Sequence, residues 1–172
     1  SADQGDSQIR FAIKALGDYT YKLGRSIKIA QQVQIEGPYG RFNMPSDDSG
    51  KRQIWVAAGI GVTPFIAWLE GLQDDPDSAP EASLYYCANN EQEAVFAQRL
   101  QQLCKQLPSI QLHIHLSERD GHLTAEQVFA QADKNTNVWF CGPNAFSDSL
   151  KQQMPALGLQ PENFHQELFQ MR

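Results

Sequence analysis

Six consecutive residues, Gly59-Ile60-Gly61-Val62-Thr63-Pro64, have the types and spacing to hold a phosphate group. They follow the apolar run Trp55-Val56-Ala57-Ala58. A strand feeding a Gly-x-Gly turn and then a helix lets bare backbone approach a diphosphate. The helix N-terminus supplies N–H groups and the positive end of its dipole. The usual dinucleotide fingerprint carries a third glycine where this chain has Pro64. Taken alone, the two glycines also fit a tight turn with close strand–helix packing, and Thr63 fits a helix cap. Much further on, Cys141-Gly142-Pro143 ends the apolar run Val138-Trp139-Phe140. Gly-Pro stops a strand and leaves room for a planar ring beside the thiol. Such a cysteine is either an inert core thiol or a group that positions a reactant. Hydrolytic chemistry is not indicated, because no Gly-x-Ser/Cys-x-Gly elbow accompanies Cys141, although His165 is present. His113 and His115 have ligand-like alternation, but no third group completes a metal set, so no metal site is expected.

These groups need strands that end together. Strands are expected at 53–58, 83–88, 110–116, 137–141 and 164–167. Between them fall helices at 63–72, 91–106, 124–131 and 144–157. Phe96, Leu100, Leu103 and Leu107 share one face of the second helix; Phe146, Leu150, Met154 and Leu157 line the last. This alternation implies an α/β fold with a doubly wound, five-stranded parallel sheet. Ligands of such sheets sit beyond the carboxyl ends of the strands, at the switch point. Both glycines and Cys141 fall at such ends. Upstream, 9–14 and 32–36 alternate like half-buried strands around a short helix at 17–25. A polar, turn-rich segment at 43–52 follows. Two strands cannot close a sheet or bury a core of their own. Residues 1–45 therefore read as the C-terminal remnant of an antiparallel β-barrel domain, and 46–172 as a nucleotide-binding domain.

Composition narrows the classes. Hydrophobic residues make up 41% and charged residues 20% of the 172, as in a soluble globular protein. The net charge of -6 argues against nucleic acid or an anionic membrane surface as partner. No apolar run approaches the roughly 20 residues of a membrane span. Cys87, Cys104 and Cys141 form no C-x-x-C pair, which suits a reducing compartment and not a disulfide scaffold or zinc site. The chain starts Ser1-Ala2 with neither methionine nor signal peptide, so it reads as a piece of something longer.

The order of motifs resembles the ferredoxin–NADP reductase superfamily, specifically its ferric-reductase and NADPH-oxidase branch, over essentially the whole chain. Gly17-Asp18-Tyr19-Thr20 is similar to the family's Gly-x-x-Ser/Thr, which holds the FAD pyrophosphate. Residues 36–42 resemble the end of the flavin barrel. Gly59, Gly61, Val62, Thr63 and Pro64 resemble the NAD(P)H pyrophosphate loop. Cys141 with Gly142 and Pro143 resembles the motif that sets a cysteine beside the nicotinamide. Glu167-Leu168-Phe169 resembles the C-terminal acid–x–aromatic, whose carboxylate lies near the reacting ring and whose aromatic ring stacks on the flavin. Ser117 and Arg119 stand where the family's Ser and Arg grip the 2′-phosphate of NADP. The second strand ends Ala88-Asn89-Asn90 without the carboxylate that binds a free ribose diol. NADPH is thereby favoured over NADH, with Glu118 and Asp120 acting against it. The family's flavin-gripping His-Pro-Phe-Thr-Ile-Ser type of segment is absent and is expected before Ser1.

The resemblance implies an NAD(P)H-dependent flavin oxidoreductase that uses NADPH or NADH, with FAD in the full-length protein. Hydride passes to FAD and electrons move on to haem, ferric iron or oxygen. The implied parent carries an upstream flavin and haem-bearing membrane domain on the same chain, with this piece at the cytoplasmic face. Alone, the piece is expected to be inactive. The alternatives are a soluble ferredoxin or flavodoxin–NADP reductase and a non-enzymatic nucleotide-binding module.

Overall fold

Ile54, Trp55, Val56 and Ala57 are all buried, which only a strand covered on both faces permits. They form the centre of β1 (Gln53–Ala58) in a computed structural model that describes residues 9–37, 42–44 and 50–167. Beside β1 lie β2 (Ala82–Ala88), β3 (Ile110–Leu116), β4 (Asn137–Cys141) and β5 (Phe164–Glu167), in the order β3-β2-β1-β4-β5. Every pairing is parallel. The chain steps outward from β1 to β3, then returns to the other side of β1 for β4. The topological switch point therefore lies between the carboxyl ends of β1 and β4, where Ala57 pairs with Cys141.

Helices cover both faces. They are α2 (Thr63–Gly71) and α3 (Ala97–Cys104) on one face and α5 (Ala125–Val128) and α6 (Asn144–Gln153) on the other, while α1 (Asp18–Ser26) and α4 (Ser117–Asp120) bury no residue. Trp55 and Ala57 point to one core with Phe65 and Leu69 of α2 and Leu100 and Leu103 of α3. Ile54 and Val56 point to the other, with Val128 of α5 and Leu150 of α6. This is the two-residue alternation of a strand, read out on two helical layers. A buried tie crosses the sheet where Trp139 Nε1 donates to Gln53 Oε1 at 3.0 Å.

The expected helix at 91–106 begins only at Ala97. Asn90 holds the residues before it in turns: its Oδ1 accepts from the Glu93 amide at 3.1 Å and its carbonyl from the Ala94 amide. Asparagine competes with helix in this way. α5 stops at Val128 and α6 at Gln153, both short of expectation. The strands expected at 9–14 and 32–36 form no ladder among the described residues. Alternation marks a face, but a strand also needs a neighbour to take its hydrogen bonds. The helix between them forms, as α1. This N-terminal stretch leaves Ile9, Phe11, Ile13, Val33 and Ile35 more than half exposed. Phe42 joins the stretch to the sheet domain, stacking on Trp68 at 5.1 Å and meeting Trp139 edge-on at 5.3 Å.

Candidate functional site

At the end of β1 the backbone turns through Gly59, whose φ of +56° lies in the left-handed region. A Cβ there would meet nothing within 4 Å, so the bare backbone faces open space. A 3-10 turn over Gly59–Val62 leads directly into α2, with Val62 buried and Pro64 in the first turn. The Thr63 hydroxyl donates to the Ile60 carbonyl at 3.2 Å, and no side chain caps α2. Gly61 is different. A Cβ on it would lie 2.1 Å from the Cys141 carbonyl oxygen and 2.5 Å from its carbon. A Cβ on Gly142 would lie 2.8 Å from that of Ala58. These two glycines let the chain ends of β1 and β4 touch each other. The clearance attributed to a phosphate at Gly61 is filled by the Cys141 peptide, and Gly59 is the open position.

The open space is a cavity of about 910 Å³ that runs across the carboxyl ends of β4, β1, β2 and β3. Gly59, Ile60 and Gly61 form its floor between Gly142, Pro143, Asn144 and Ala145 on one side and Asn89, Glu93, His115 and Ser117 on the other. Lys14 and Leu16 of the N-terminal stretch also line it. α6 begins at this wall with Pro143 as N-cap and no side-chain cap. The uncapped N-terminus of α6 thus faces the switch point, where its N–H groups and dipole favour an anion, whereas α2 runs on from the 3-10 turn, with the Thr63 amide bonded to the Ile60 carbonyl and none of its residues on the wall.

Cys141 ends β4 with its side chain buried in the core and outside the cavity wall. Burial, with the Glu167 carboxylate adding to it, pushes its thiol up to about 12, so it is neutral and no nucleophile. Glu167 pairs with Cys141 in the β4–β5 register. Phe169 lies outside the described residues. Ser117 reaches the cavity, but Arg119 does not line it. Arg119 instead forks onto Asp120, with bonds of 2.7 and 2.8 Å. That pairing and the Leu116 amide hold the Asp120 carboxyl well below the usual carboxylate range. On α1, the Thr20 hydroxyl accepts from the Leu16 and Gly17 amides and donates to the Gly17 carbonyl. Gly17 is the N-cap, and Tyr19 is exposed. His113 stacks on Tyr85 at 4.7 Å while His115 Nε2 bonds the Gly121 carbonyl, so the two histidines have separate partners. Among the described residues no helix is long and apolar enough to cross a membrane.

Sequence reasoning missed Asn89, Glu93 and Asn144 on the cavity wall. Pro143 just before an apolar helical stripe signalled the start of α6, and hence Asn144. Nothing in the local pattern signalled Glu93, which read as the first turn of a helix that starts later.

The cavity and its wall fit a nucleoside diphosphate chain: exposed backbone at Gly59, the N-terminus of α6 and a length spanning four strand ends. A profile of the family described as the oxidoreductase NAD-binding domain matches residues 55–152, more than half of the chain. The chain belongs to that family, and its five-stranded parallel fold is the NAD-binding domain of ferredoxin–NADP reductase type. Among its relatives, the carnitine monooxygenase reductase subunit of Escherichia coli is 26% identical over 147 residues, 86% of this chain and 43% of that protein. The fold matches a flavohaemoglobin from Malassezia yamatoensis, solved with bound FAD and haem, with a TM-score of 0.72 at 22% identity, covering 93% of this chain and 43% of that one. It also matches the FAD/NAD-binding domain of the nitric oxide dioxygenase of Vibrio cholerae, with a TM-score of 0.74 at 24% identity, covering 89% and 65% of the two chains. The chain thus spans less than half the length of its carnitine reductase relative.

Proposed function

We propose that this chain is the NAD(P)H-binding half of a flavin-dependent reductase, with residues 1–45 the rear edge of the flavin domain and 46–172 the nicotinamide domain. The observation that carries this is the switch-point cavity, where open backbone at Gly59 faces the uncapped N-terminus of α6. When bound, the nicotinamide supplies a hydride, and the flavin accepts it and releases single electrons. The chain's own residues bind and orient. Gly59, the 3-10 turn it opens and the first turn of α6 hold the diphosphate. Gly61 and Gly142 lock the β1 and β4 ends together, so the site's two walls keep a fixed spacing. Cys141, neutral and packed, holds the β4 end that the reacting ring would meet, a positioning role. Glu167 and Phe169 complete that side in this reading, and Gly17, Tyr19 and Thr20 approach the flavin's phosphates. The exposed apolar side chains of the N-terminal stretch support a missing barrel partner.

Two settings suit this half-reductase. The motif order favours a membrane-bound ferric-reductase-like parent that passes electrons to haem, ferric iron or oxygen. The other setting is a soluble reductase, and the relatives include the carnitine monooxygenase reductase subunit and a vanillate O-demethylase oxidoreductase of Pseudomonas putida. The test is anaerobic mixing of the parent flavoprotein with NADH and NADPH in a stopped-flow instrument. Rapid bleaching of the flavin absorbance is expected, and it is lost in Gly59→Val, whose side chain enters the phosphate space under left-handed strain. A parent whose flavin neither nucleotide reduces sinks the reading.

A further inference from the structure

The far end of the cavity, beyond β2 and β3, holds a hydrogen-bond network that the strand-end residues alone do not foreshadow. The Asn90 turn brings Glu93 back to the carboxyl end of β2, and it lines the cavity there. Its Oε2 accepts from Asn89 Nδ2 at 3.0 Å. A carboxylate only accepts, so the Asn89 amide must turn its nitrogen to Glu93 and its oxygen to Ser117. The Ser117 hydroxyl lies 3.3 Å from that oxygen and must donate to it. Its one proton is then taken, and Ser117 shows the cavity only lone pairs. Arg119 has its fork on Asp120 and is outside the wall. Asn90 Nδ2 is likewise turned away, donating to Glu118 at 2.8 Å. Residues 89–93 and 117–120 thus set the carboxylates of Glu91, Glu93, Glu118 and Asp120 against the single guanidinium of Arg119. Lys14, His115 and His122 also line the cavity, and His115 Nε2 is engaged by the Gly121 carbonyl.

We infer that this end of the site takes an unphosphorylated adenosine ribose, with Glu93 as acceptor for the 2′-hydroxyl, and so selects NADH over NADPH. The inference rests on the dinucleotide reading of the cavity. In doubly wound folds the adenosine half lies over the end of β2, where a carboxylate meets the ribose diol. A 2′-phosphate placed there would bring a further charge of about -1.5 to -2 against Glu93, on the scale usual for a phosphomonoester. It would also find no donor in the Ser117 hydroxyl, whose proton is on Asn89 Oδ1. The free hydroxyl suits the carboxylate, because it donates to Glu93 and brings no charge.

Calorimetry of the full chain with NADH and with NADPH tests this, alongside Glu93→Gln and Arg119→Ala. Glu93 is exposed and Gln can keep the bond to Asn89, so folding should be intact, as circular dichroism would verify. NADH should bind at least about tenfold more tightly than NADPH, the scale of one charge-assisted hydrogen bond, and Glu93→Gln should narrow that ratio by a similar factor. Equal or tighter NADPH binding, a ratio unmoved in Glu93→Gln, or NADPH binding that collapses selectively in Arg119→Ala overturns the selectivity while the dinucleotide site stands. If neither nucleotide binds, the cavity reading itself fails and this inference goes with it.

Discussion

Gly61→Ala adds one methyl group where the structure has room for none. Its Cβ would sit 2.1 Å from the Cys141 carbonyl oxygen, and real Cβ contacts start near 3.0 Å. Both neighbours are backbone, so no side chain can swing aside. The β1 turn and the β4 end must part, at the junction that joins the two halves of the sheet. Overpacking of this kind costs about 1–3 kcal/mol, and a backbone-on-backbone clash belongs at the upper end. For a domain of this size about 3 kcal/mol corresponds to a melting temperature lower by about 6–12 °C. Gly59→Ala is the internal comparison, because its Cβ meets nothing and only the positive φ is penalised, by about 1 kcal/mol. Its melting temperature should fall by about 2–4 °C. Thermal unfolding followed by circular dichroism, together with NADH titration, separates the two. Gly61→Ala should lose mainly stability, and Gly59→Ala mainly nucleotide affinity. A Gly61→Ala protein that melts with the wild type would refute the close contact between the strand ends.

Other consequences concern the core, the thiols and the flavin. Gln53→Ala strands the buried indole N–H of Trp139 and should destabilise by about 1–3 kcal/mol in urea unfolding; a wild-type midpoint would contradict the tie. Burial raises Cys87 and Cys141 from an ordinary value of 9.0 to about 12. Their contribution to stability is full below about pH 9 and is lost as pH climbs toward 12, by up to about 1.4 kcal/mol per pH unit for each thiol. Cys87→Ala should flatten the alkaline limb of a pH–stability curve, and an unchanged limb would show that the thiol ionises freely in the folded chain. In the flavin-containing parent, Cys141→Ala should slow flavin reduction with little change in NADH affinity; equal rates would leave Cys141 an ordinary core residue. The purified chain should be colourless, since its N-terminal stretch forms no strand ladder among the described residues; near-stoichiometric yellow flavin would contradict this.

Much of the sheet is legible because parallel strands bury both faces. Runs such as Ile54-Trp55-Val56-Ala57 and Val138-Trp139-Phe140 have no other comfortable environment, and β1, β3, β4 and β5 lie at the expected residues. The switch point follows from the same runs, since glycines and Cys141 had to end them. Two features stayed hidden, one set by long-range packing and one by a local side-chain turn. The closeness of Gly61 to Cys141 is a contact between residues far apart in sequence, so the turn read as a phosphate approach or as close strand–helix packing, and not as a contact with β4. Glu93 looked like the first turn of a helix, because the pull of Asn90 on the backbone outweighs the propensity of Glu91 and Glu93. That turn puts a carboxylate where the strand ending Asn89-Asn90 showed none. Arg119, expected on a phosphate, finds its carboxylate in the next residue, a pairing visible in sequence only as adjacent opposite charges.

The central claim is that a dinucleotide lies across the switch point with its diphosphate on Gly59. A crystal structure of the chain with NADH tests it most directly. The account predicts diphosphate density beside the Gly59 backbone and the first turn of α6 at Asn144, with the adenosine ribose reaching toward Glu93. Nucleotide bound on any other surface, with the cavity over β1 and β4 empty, would contradict it.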